Sequence, residues 1–217
     1  MSQADPVEAE SYRILRSRLD LSALPPLSRA VTERVIHATA DFDYFTDLVC
    51  DEAALAAGVG ALRRGVRLIA DAVPVASGIT GYPVLCKAGD SLPARLARTA
   101  NITVAAAAVR LAHTEAGPGA IWLVGGDEPD ALFEIIRRQV EPALVIGVPV
   151  GFVGTAEAKD ALRASGLPAV SNVSEKGGAA VAVAAFEALL GAARNPEDPA
   201  AADRPVPPDA PVEETHG

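Results

Sequence analysis

The chain has 217 residues, of which 50% are hydrophobic and 4% aromatic, and its formal net charge is −9. This length predicts one sizeable domain whose core is built mainly from alanine, valine and leucine. The acidic balance argues against nucleic-acid binding, which needs a basic surface, although local donors can still hold an anionic small molecule. We expect neither a signal peptide nor a membrane span, because the first residues are polar and no apolar run reaches about 20 residues.

Two helices are predicted at the start of the chain. Asp5-Pro6 is typical of a helix start, and the first helix should end near Leu19. Leu24-Pro25-Pro26 breaks the chain, and Ser28 is expected to cap a second helix that reaches about residue 38.

Strands and helices alternate through the rest of the folded part. Strands are predicted at 66–70, 84–86, 120–124 and 169–173, with a central strand that starts at 144, and helices at 51–64, 91–98, 103–116, 130–140, 155–162 and 179–190. Asp51 and either Asp127 or Glu128 are placed as caps of two of these helices. The alternation predicts an α/β, Rossmann-like layered fold, with a mostly parallel central sheet flanked by helices.

Residues 71–83 contain two prolines and two glycines, and they follow the first predicted strand. This composition predicts a loop. In a doubly wound sheet such a loop lies at the carboxyl edge, where ligands bind.

The run LVIGVPVGFVGTAEAKDAL, residues 144–162, combines a buried strand, a glycine-rich turn and a helix. Gly147, Gly151 and Gly154 punctuate the turn, and Thr155 is placed to cap the helix. Helix N-termini favour anions, so an anionic ligand is one interpretation, and close packing of the glycines is the other. The spacing differs from the dinucleotide fingerprint G-x-G-x-x-G, which disfavours a nucleotide-dependent oxidoreductase.

Composition divides the chain near residue 194. Residues 1–193 are predicted to form a single α/β domain. Residues 194–217 contain six prolines, six acidic residues and two arginines. This composition predicts a disordered, acidic, proline-rich tail that takes no part in the chemistry.

The two cysteines, Cys50 and Cys86, form no C-x-x-C motif. Isolated cysteines of this kind are more typical of reduced thiols than of a disulfide framework or a metal site. We therefore expect free thiols and a cytoplasmic protein.

His37 lies near the end of the second predicted helix, in the segment RVIHATADFDY. One interpretation is a histidine favoured by the helix dipole or satisfied by Asp41 or Asp43. The other is a proton donor or hydrogen-bond donor in a pocket, because imidazole titrates near neutral pH. The residues alone leave both interpretations open.

Four segments occur together in one order and spacing: Glu10-Ser11-Tyr12, RVIHATADFDY, PVGFVGTAEAKDAL and Lys176-Gly177-Gly178-Ala179-Ala180. They resemble the corresponding motifs of the precorrin-8X methylmutases of corrinoid biosynthesis, a family that includes the cobalt-precorrin-8 enzymes. The resemblance covers roughly residues 5–191, and PVGFVGTAEAKDAL is its most specific part.

The resemblance implies an isomerase of cobalamin biosynthesis. Such an enzyme moves a methyl group from C11 to C12 of ring C of a tetrapyrrole-derived substrate, precorrin-8X or cobalt-precorrin-8, with no organic cofactor and no protein metal. It also implies a homodimer with its site near the subunit interface. His37 falls on the family histidine, which is implied to protonate or hydrogen-bond a ring nitrogen. The other positions implied to bind substrate are Thr39, Ser77, Gly78, Gly126, Asp127, Gly151, Gly154, Lys176, Gly177 and Gly178.

Three segments depart from the family's pattern. Pro74 stands where methionine is usual, no arginine occurs beside Asn101, and 127–130 places three acids where a neutral turn is usual. Acids beside a polycarboxylate weaken binding by like-charge repulsion. The alternative hypothesis is therefore a catalytically altered paralogue, which binds a tetrapyrrole or another small ligand without isomerising it.

Overall fold

The computed structural model describes residues 6–195. Its strands are β1 (Leu48–Cys50), β2 (Leu68–Ala70), β3 (Val84–Cys86), β4 (Ile121–Val124), β5 (Leu144–Gly147) and β6 (Ala169–Asn172). They form one sheet in the order β1-β6-β5-β4-β2-β3. All neighbouring strands are parallel except β1, which runs antiparallel to β6. The predicted α/β fold with a mostly parallel sheet is confirmed.

Helices cover both faces of this sheet. They are α1 (Pro6–Arg18), α2 (Pro26–Thr39), α3 (Tyr44–Asp47), α4 (Glu52–Arg63), α5 (Val73–Gly78), α6 (Ser91–Ala100), α7 (Val104–Ala116), α8 (Asp130–Arg137), α9 (Thr155–Ala164) and α10 (Ala179–Arg194). Within residues 6–195, no helix combines the length and hydrophobicity that crossing a membrane requires.

Two apolar cores lie on opposite faces of the sheet. Side chains alternate between the faces along a strand, so Leu123 of β4 joins the core beneath α2, α4 and α10. Its neighbour Trp122 joins the core beneath α7, α8 and α9. Because both faces are covered, every residue of β2, β4 and β5 is buried, which explains why these strands are continuous apolar runs in the sequence.

Three elements depart from the sequence-based expectations, and one of them is the short helix α3, which was not predicted. β1 was not predicted, because three residues carry no periodic pattern and their pairing depends on β6, more than a hundred residues later. Residues 71–83 were predicted as a loop but contain α5. Pro74 is compatible with the first turn of a helix, where its missing N–H leaves no intrahelical bond unmade, and Val75 anchors the helix in the core.

The predicted cap at Asp51 is confirmed, since its carboxylate accepts two backbone N–H groups of α4. Ser28 is not a cap. It lies inside α2, where its N–H and hydroxyl both donate to the carboxylate of Glu52. The cap predicted at Asp5 lies outside the described residues.

The two remaining predicted caps are wrong. Thr155 is the first residue of α9. Its hydroxyl donates to the carbonyl of Gly151, and no side-chain oxygen accepts an N–H group at the start of this helix. Asp127 and Glu128 lie in the turn before α8, where Pro129 is the residue that precedes the helix and no side chain caps it.

The last helix extends beyond its predicted end. α10 reaches Arg194, which the sequence had assigned to the tail, and the guanidinium of Arg194 donates to the carbonyl of Gly81 at 2.8 Å. Residues 196–217 of the predicted tail lie outside the described residues. The division into one domain and a tail stays a prediction.

The two cysteines are free thiols in the structure. Cys50 belongs to β1 and Cys86 to β3, the two opposite edges of the sheet. The width of the sheet separates the two thiols, so they cannot form a disulfide with each other, and the prediction of unpaired cysteines is confirmed.

Candidate active site

The carboxyl ends of β5 and β6 lead into two loops that are bonded to each other. Gly178 N–H donates to the carbonyl of Val148 at 2.7 Å, and Gly151 N–H donates to the carbonyl of Glu175 at 3.1 Å. At Gly177, where φ is +147°, a Cβ would lie 2.3 Å from the oxygen of Val148. Close packing of the two loops is therefore one reason for the glycine at position 177.

Asp71 joins the ends of β2 and β4. Its carboxylate accepts the N–H groups of Gly125 at 3.1 Å and Gly126 at 3.0 Å. Burial raises the pKa of Asp71 to about 6, although the bonds from the two glycines oppose this shift. The carbonyl of Gly126 in turn accepts the N–H of Val150. The loops after β2, β4, β5 and β6 thus form one connected surface at the carboxyl edge of the sheet.

His37 lies in the last turn of α2 and is half-buried. Its imidazole stacks on the ring of Tyr12 in α1, with 4.3 Å between ring centroids and 6° between ring planes. Tyr12 is itself buried and accepts a hydrogen bond from Arg34. The α1 helix therefore sets the plane of the imidazole.

The acids that follow His37 pair with a lysine. Lys176 Nζ lies 2.7 Å from a carboxylate oxygen of Asp41 and 2.7 Å from one of Asp43. The Lys176 ammonium lowers the pKa of Asp41, and the two carboxylates raise that of Lys176. This pair of contacts joins the turn after α2, which carries the histidine, to the loop after β6.

Tyr44 lies beneath that ion pair. Its ring is buried, and Lys176 Nζ is 5.9 Å from the ring centroid. Burial, together with the negative charges of Asp41 and Asp47, raises the pKa of Tyr44 to about 12. The phenol is thus a neutral hydrogen-bonding group next to Gly177, not an acid at physiological pH.

Asp47 anchors the loop after β6 from the side of α3. Its carboxylate accepts the N–H groups of Val173 and Ser174 and the hydroxyl of Ser174, at 2.7 to 3.1 Å. It also accepts Asn172 Nδ2 at 2.9 Å. Burial raises the pKa of Asp47, but these bonds outweigh it and hold the pKa below its ordinary value.

A buried lysine of α9 lies below both loops. Lys159 is 0% exposed. Its ammonium donates to the carbonyls of Pro149 at 3.2 Å, Lys176 at 2.8 Å and Ser174, and to Asn172 Oδ1 at 3.1 Å. One cation thus contacts four oxygens that belong to the ends of β5 and β6.

The remaining residues predicted from the resemblance take different positions. The hydroxyl of Thr39 donates to the carbonyl of Val35 at 2.8 Å and accepts the N–H of Asp41 at 3.3 Å, so it is largely occupied within the chain. Ser77 and Gly78 are exposed in α5, and a Cβ on Gly78 would lie 2.7 Å from Val183 of α10. Asp127 is exposed in the turn after β4.

Gly154 precedes α9 with φ of +76°, and a Cβ there would lie 3.2 Å from Pro129. The turn before α8 and the turn before α9 therefore touch. Together with the contacts above, this places Gly126, Asp127, Gly151, Gly154, Lys176, Gly177 and Gly178 on one surface. The position of Ser77 relative to that surface rests on its place in α5, after β2.

The family comparisons agree with the predicted resemblance. The model of the precorrin-8X methylmutase family matches residues 6–192. The chain belongs to this family. The cobalt-precorrin-8 methylmutase of Salmonella typhimurium is 38% identical over 202 residues, which cover 88% of this chain and 96% of that protein. The precorrin-8X methylmutase of Pseudomonas aeruginosa is 34% identical over 193 residues, which cover 83% of this chain and 91% of that protein.

A solved structure agrees with the fold. The precorrin-8X methylmutase of Thermus thermophilus superimposes with a TM-score of 0.79 at 35% identity, covering 88% of this chain and 99% of that one. The fold predicted for the family is confirmed, and methylmutases are isomerases, so the predicted enzyme class is confirmed as well.

In this methylmutase-family chain, two of the segments that resemble the family lie at the carboxyl edge of the sheet, on the surface formed by the loops after β2, β4, β5 and β6. PVGFVGTAEAKDAL supplies the loop after β5 and Lys159, and Lys176-Gly177-Gly178 supplies the loop after β6. One groove of about 480 Å³ lies between α7 and α8 beside Thr103 and Phe133, and His37 does not line it.

Sequence reasoning assigned no role in the site to Asp71 or Lys159. Asp71 opens the segment predicted as a loop, so nothing in its neighbourhood indicated burial. Lys159 does carry a signal. It lies next to Ala158 and three residues before Leu162, on the side of α9 that packs into the core. A lysine within an apolar helix face indicates a buried polar network.

Proposed function

We propose that this chain catalyses an intramolecular methyl transfer on precorrin-8X or cobalt-precorrin-8 in cobalamin biosynthesis, with His37 as the catalytic residue. The methyl group leaves C11 and bonds to C12 of ring C in a 1,5-shift, so substrate and product are isomers. The observation that carries this proposal is the Lys176 bridge. It connects the turn after His37 to the glycine loops at the edge of the sheet, where Rossmann-like folds bind ligands.

The role of His37 is to hold a proton at a ring nitrogen of the substrate. A proton on that nitrogen draws electron density out of the conjugated ring and so lowers the barrier to methyl migration. Stacking on Tyr12 fixes the plane of the imidazole before substrate arrives. A preorganised donor of this kind loses little entropy when the substrate binds.

The substrate bears many carboxylates, and we assign their binding to backbone donors. The N-termini of α9 and α10 begin at Gly154 and Gly178, and their N–H groups favour negative charge. Lys176 supplies the cation, and the proposed set is completed by Thr39, Ser77, Gly78, Gly126, Asp127, Gly151 and Gly177. The chemistry proposed here uses no organic cofactor and no protein-bound metal.

We infer that the enzyme is a homodimer with its site near the subunit interface. The support is an apolar tip in the loop after β5, where Phe152 is 94% exposed and Val153 is 85% exposed. Exposed aromatic and aliphatic side chains next to each other are typical of surfaces that a second chain covers. The cytoplasmic location inferred from the free cysteines stays a prediction.

A second candidate is a paralogue that binds a tetrapyrrole without isomerising it. The exposed acids Asp127 and Glu128 favour it, because they stand at the same edge as the proposed carboxylate-binding donors. Asn101, beside which the family arginine is missing, is exposed at the end of α6.

Substitution of His37 tests the proposal. We expect His37→Ala to lower kcat for the methyl shift at least about 100-fold, the lower range for loss of a general acid. His113→Ala is the matched control, because His113 lies on α7, across the sheet from α2. Methylmutase activity that survives His37→Ala would overturn the role of His37. Binding of substrate without turnover by the unaltered chain would favour the paralogue.

A further inference from the structure

Lys159 is a fully buried lysine in α9, which is unusual for a residue that serves only to stabilise the fold. Removing an ammonium from water is costly, and an apolar side chain in the same helix position would avoid that cost. The other buried side chains of this helix, among them Ala158 and Leu162, are small or apolar. The lysine is fully buried and carries four hydrogen bonds, although an ammonium has three protons.

The four acceptors share one property. Pro149 belongs to the loop after β5, Ser174 and Lys176 belong to the loop after β6, and Asn172 ends β6. These two loops carry the glycines and the helix N-termini of the proposed substrate surface. Three of the four acceptors are backbone carbonyls, so the ammonium holds the course of the chain itself.

The contacts continue beyond the two loops. Asn172 accepts from Lys159 through Oδ1 and donates to Asp47 through Nδ2 at 2.9 Å. Asp47 ends α3, which follows the turn that carries Asp41 and, one helical turn earlier, His37. Lys159 is therefore bonded directly to the two loops and, through Asn172, to the α3 side of the candidate site.

We propose that Lys159 is a positioning residue of this site, which holds the loops 148–154 and 173–178 at the spacing that an anionic substrate requires. This inference rests on the proposed function for the identity of the substrate. Its positive charge also lies directly beneath a surface that is proposed to meet carboxylates, where it favours their binding through the loops.

The protonation of Lys159 gives this role a pH dependence. Burial lowers the pKa of Lys159 to about 8, while Asp47 and Glu175 raise it and Arg163 lowers it further. A neutral amine has two protons instead of three and carries no charge, so it bonds these four oxygens less strongly. The hold on the two loops is therefore expected to weaken as the pH rises through 8.

The free energy of unfolding should change in the opposite direction, increasing as the pH rises. A lysine whose pKa is lower in the folded state than in the unfolded chain makes the folded state relatively more stable as the pH rises from about 8 to about 10. The two effects can therefore be measured separately. Deprotonation of Lys159 weakens its bonds to the two loops, whereas the contribution of Lys159 to the free energy of unfolding increases.

The test compares Lys159→Met with Lys87→Met, a control that also removes one lysine but follows the edge strand β3, three strands away from β5, and contacts Glu115 of α7. We expect Lys159→Met to lower kcat/KM for the methyl shift at least tenfold at pH 7. Amide hydrogen exchange should accelerate at least tenfold in 150–151 and 173–178 but remain unchanged in β4. Unaltered kcat/KM together with unaltered exchange in both loops would overturn the proposal.

The unaltered enzyme provides an independent test if Lys159→Met does not fold. Its exchange, corrected for the intrinsic effect of pH, should accelerate in these two loops between pH 7 and pH 9 while far-UV circular dichroism stays constant. An acceleration of the same size across the whole domain, or none in the two loops, would overturn the proposal. Absence of any methyl shift would refute the proposed function instead, and the exchange in the loops would still decide whether Lys159 positions them.

Discussion

Lys176 and Asp41 form an ion pair of 2.7 Å that joins the loop after β6 to the turn following His37. Both side chains are partly exposed, at 40% and 31%, and ion pairs of this kind contribute little to folding. The arrangement is better explained by function. Under the proposed function, this ammonium contacts a substrate carboxylate, and Asp41 holds it in position when no substrate is bound.

Lys176→Met should therefore weaken substrate binding more than it weakens the fold. We expect KM to rise about tenfold with a small change in the thermal midpoint, because a charge-assisted contact to the substrate is lost. Steady-state kinetics and a thermal melt on one preparation measure both quantities. Asp43→Asn is the matched control, since it leaves the Asp41 contact in place. A lowered kcat with an unchanged KM would contradict the binding role.

Asp71→Asn should change the pH dependence of stability. Because its folded pKa of about 6 lies above the ordinary value of 3.8, protonated Asp71 stabilises the fold below about pH 4, and this contribution is lost as the pH rises through 6. Relative to the variant, the unaltered chain should lose on the order of 2 kcal/mol between pH 4 and pH 7. Urea denaturation at several pH values measures this difference.

Asp160→Asn is the control for that series, because Asp160 is 82% exposed. Its stability relative to the unaltered chain should stay flat over the same pH range. A flat difference for Asp71→Asn as well would mean that the carboxylate does not titrate near pH 6 in the folded chain.

Gly177→Ala should destabilise the loop after β6. The backbone there has φ of +147°, and the new Cβ would lie 2.3 Å from the carbonyl oxygen of Val148. We expect a loss of about 2–4 kcal/mol, combining strain and displacement of the neighbouring loop. Gly166→Ala isolates the steric part, because Gly166 also has a positive φ but nothing within 4 Å of the new Cβ. Equal losses in urea denaturation would show that the clash is relieved.

Phe152→Ser should weaken the association of two chains. Phe152 is 94% exposed and extends from the loop after β5, so its burial in a homodimer would remove a large apolar side chain from water. Light scattering after size-exclusion chromatography should show a dimer for the unaltered chain and a lower dimer fraction for the variant. Leu92→Ser, which replaces a 52% exposed leucine of α6, should leave the dimer intact. A monomeric unaltered chain would contradict the homodimer.

Strand and helix patterns predicted most of the fold because the parallel strands are buried on both faces. Leu144–Gly147 and Ile121–Val124 are continuous apolar segments for that reason. β1 could not be predicted, since Leu48–Cys50 becomes a strand only by pairing with Asn172 and its neighbours. The cap at Thr155 was wrong because its hydroxyl bonds to the preceding turn, a choice that depends on tertiary position.

The candidate site was predicted less completely than the fold. Motifs located His37 and the glycine loops, and the structure joins them through Lys176. What holds these segments in place was not predictable, because the hydrogen-bond partners of Lys159 and Asp71 are mostly backbone groups that carry no residue signature.

The most direct test of the account is to mix the purified chain with precorrin-8X or cobalt-precorrin-8 and follow the visible absorption spectrum. The account predicts conversion to the spectrum of the methyl-shifted product, at a rate that falls at least about 100-fold in His37→Ala. A stable red-shifted complex without turnover, or no spectral change with either substrate, would contradict it.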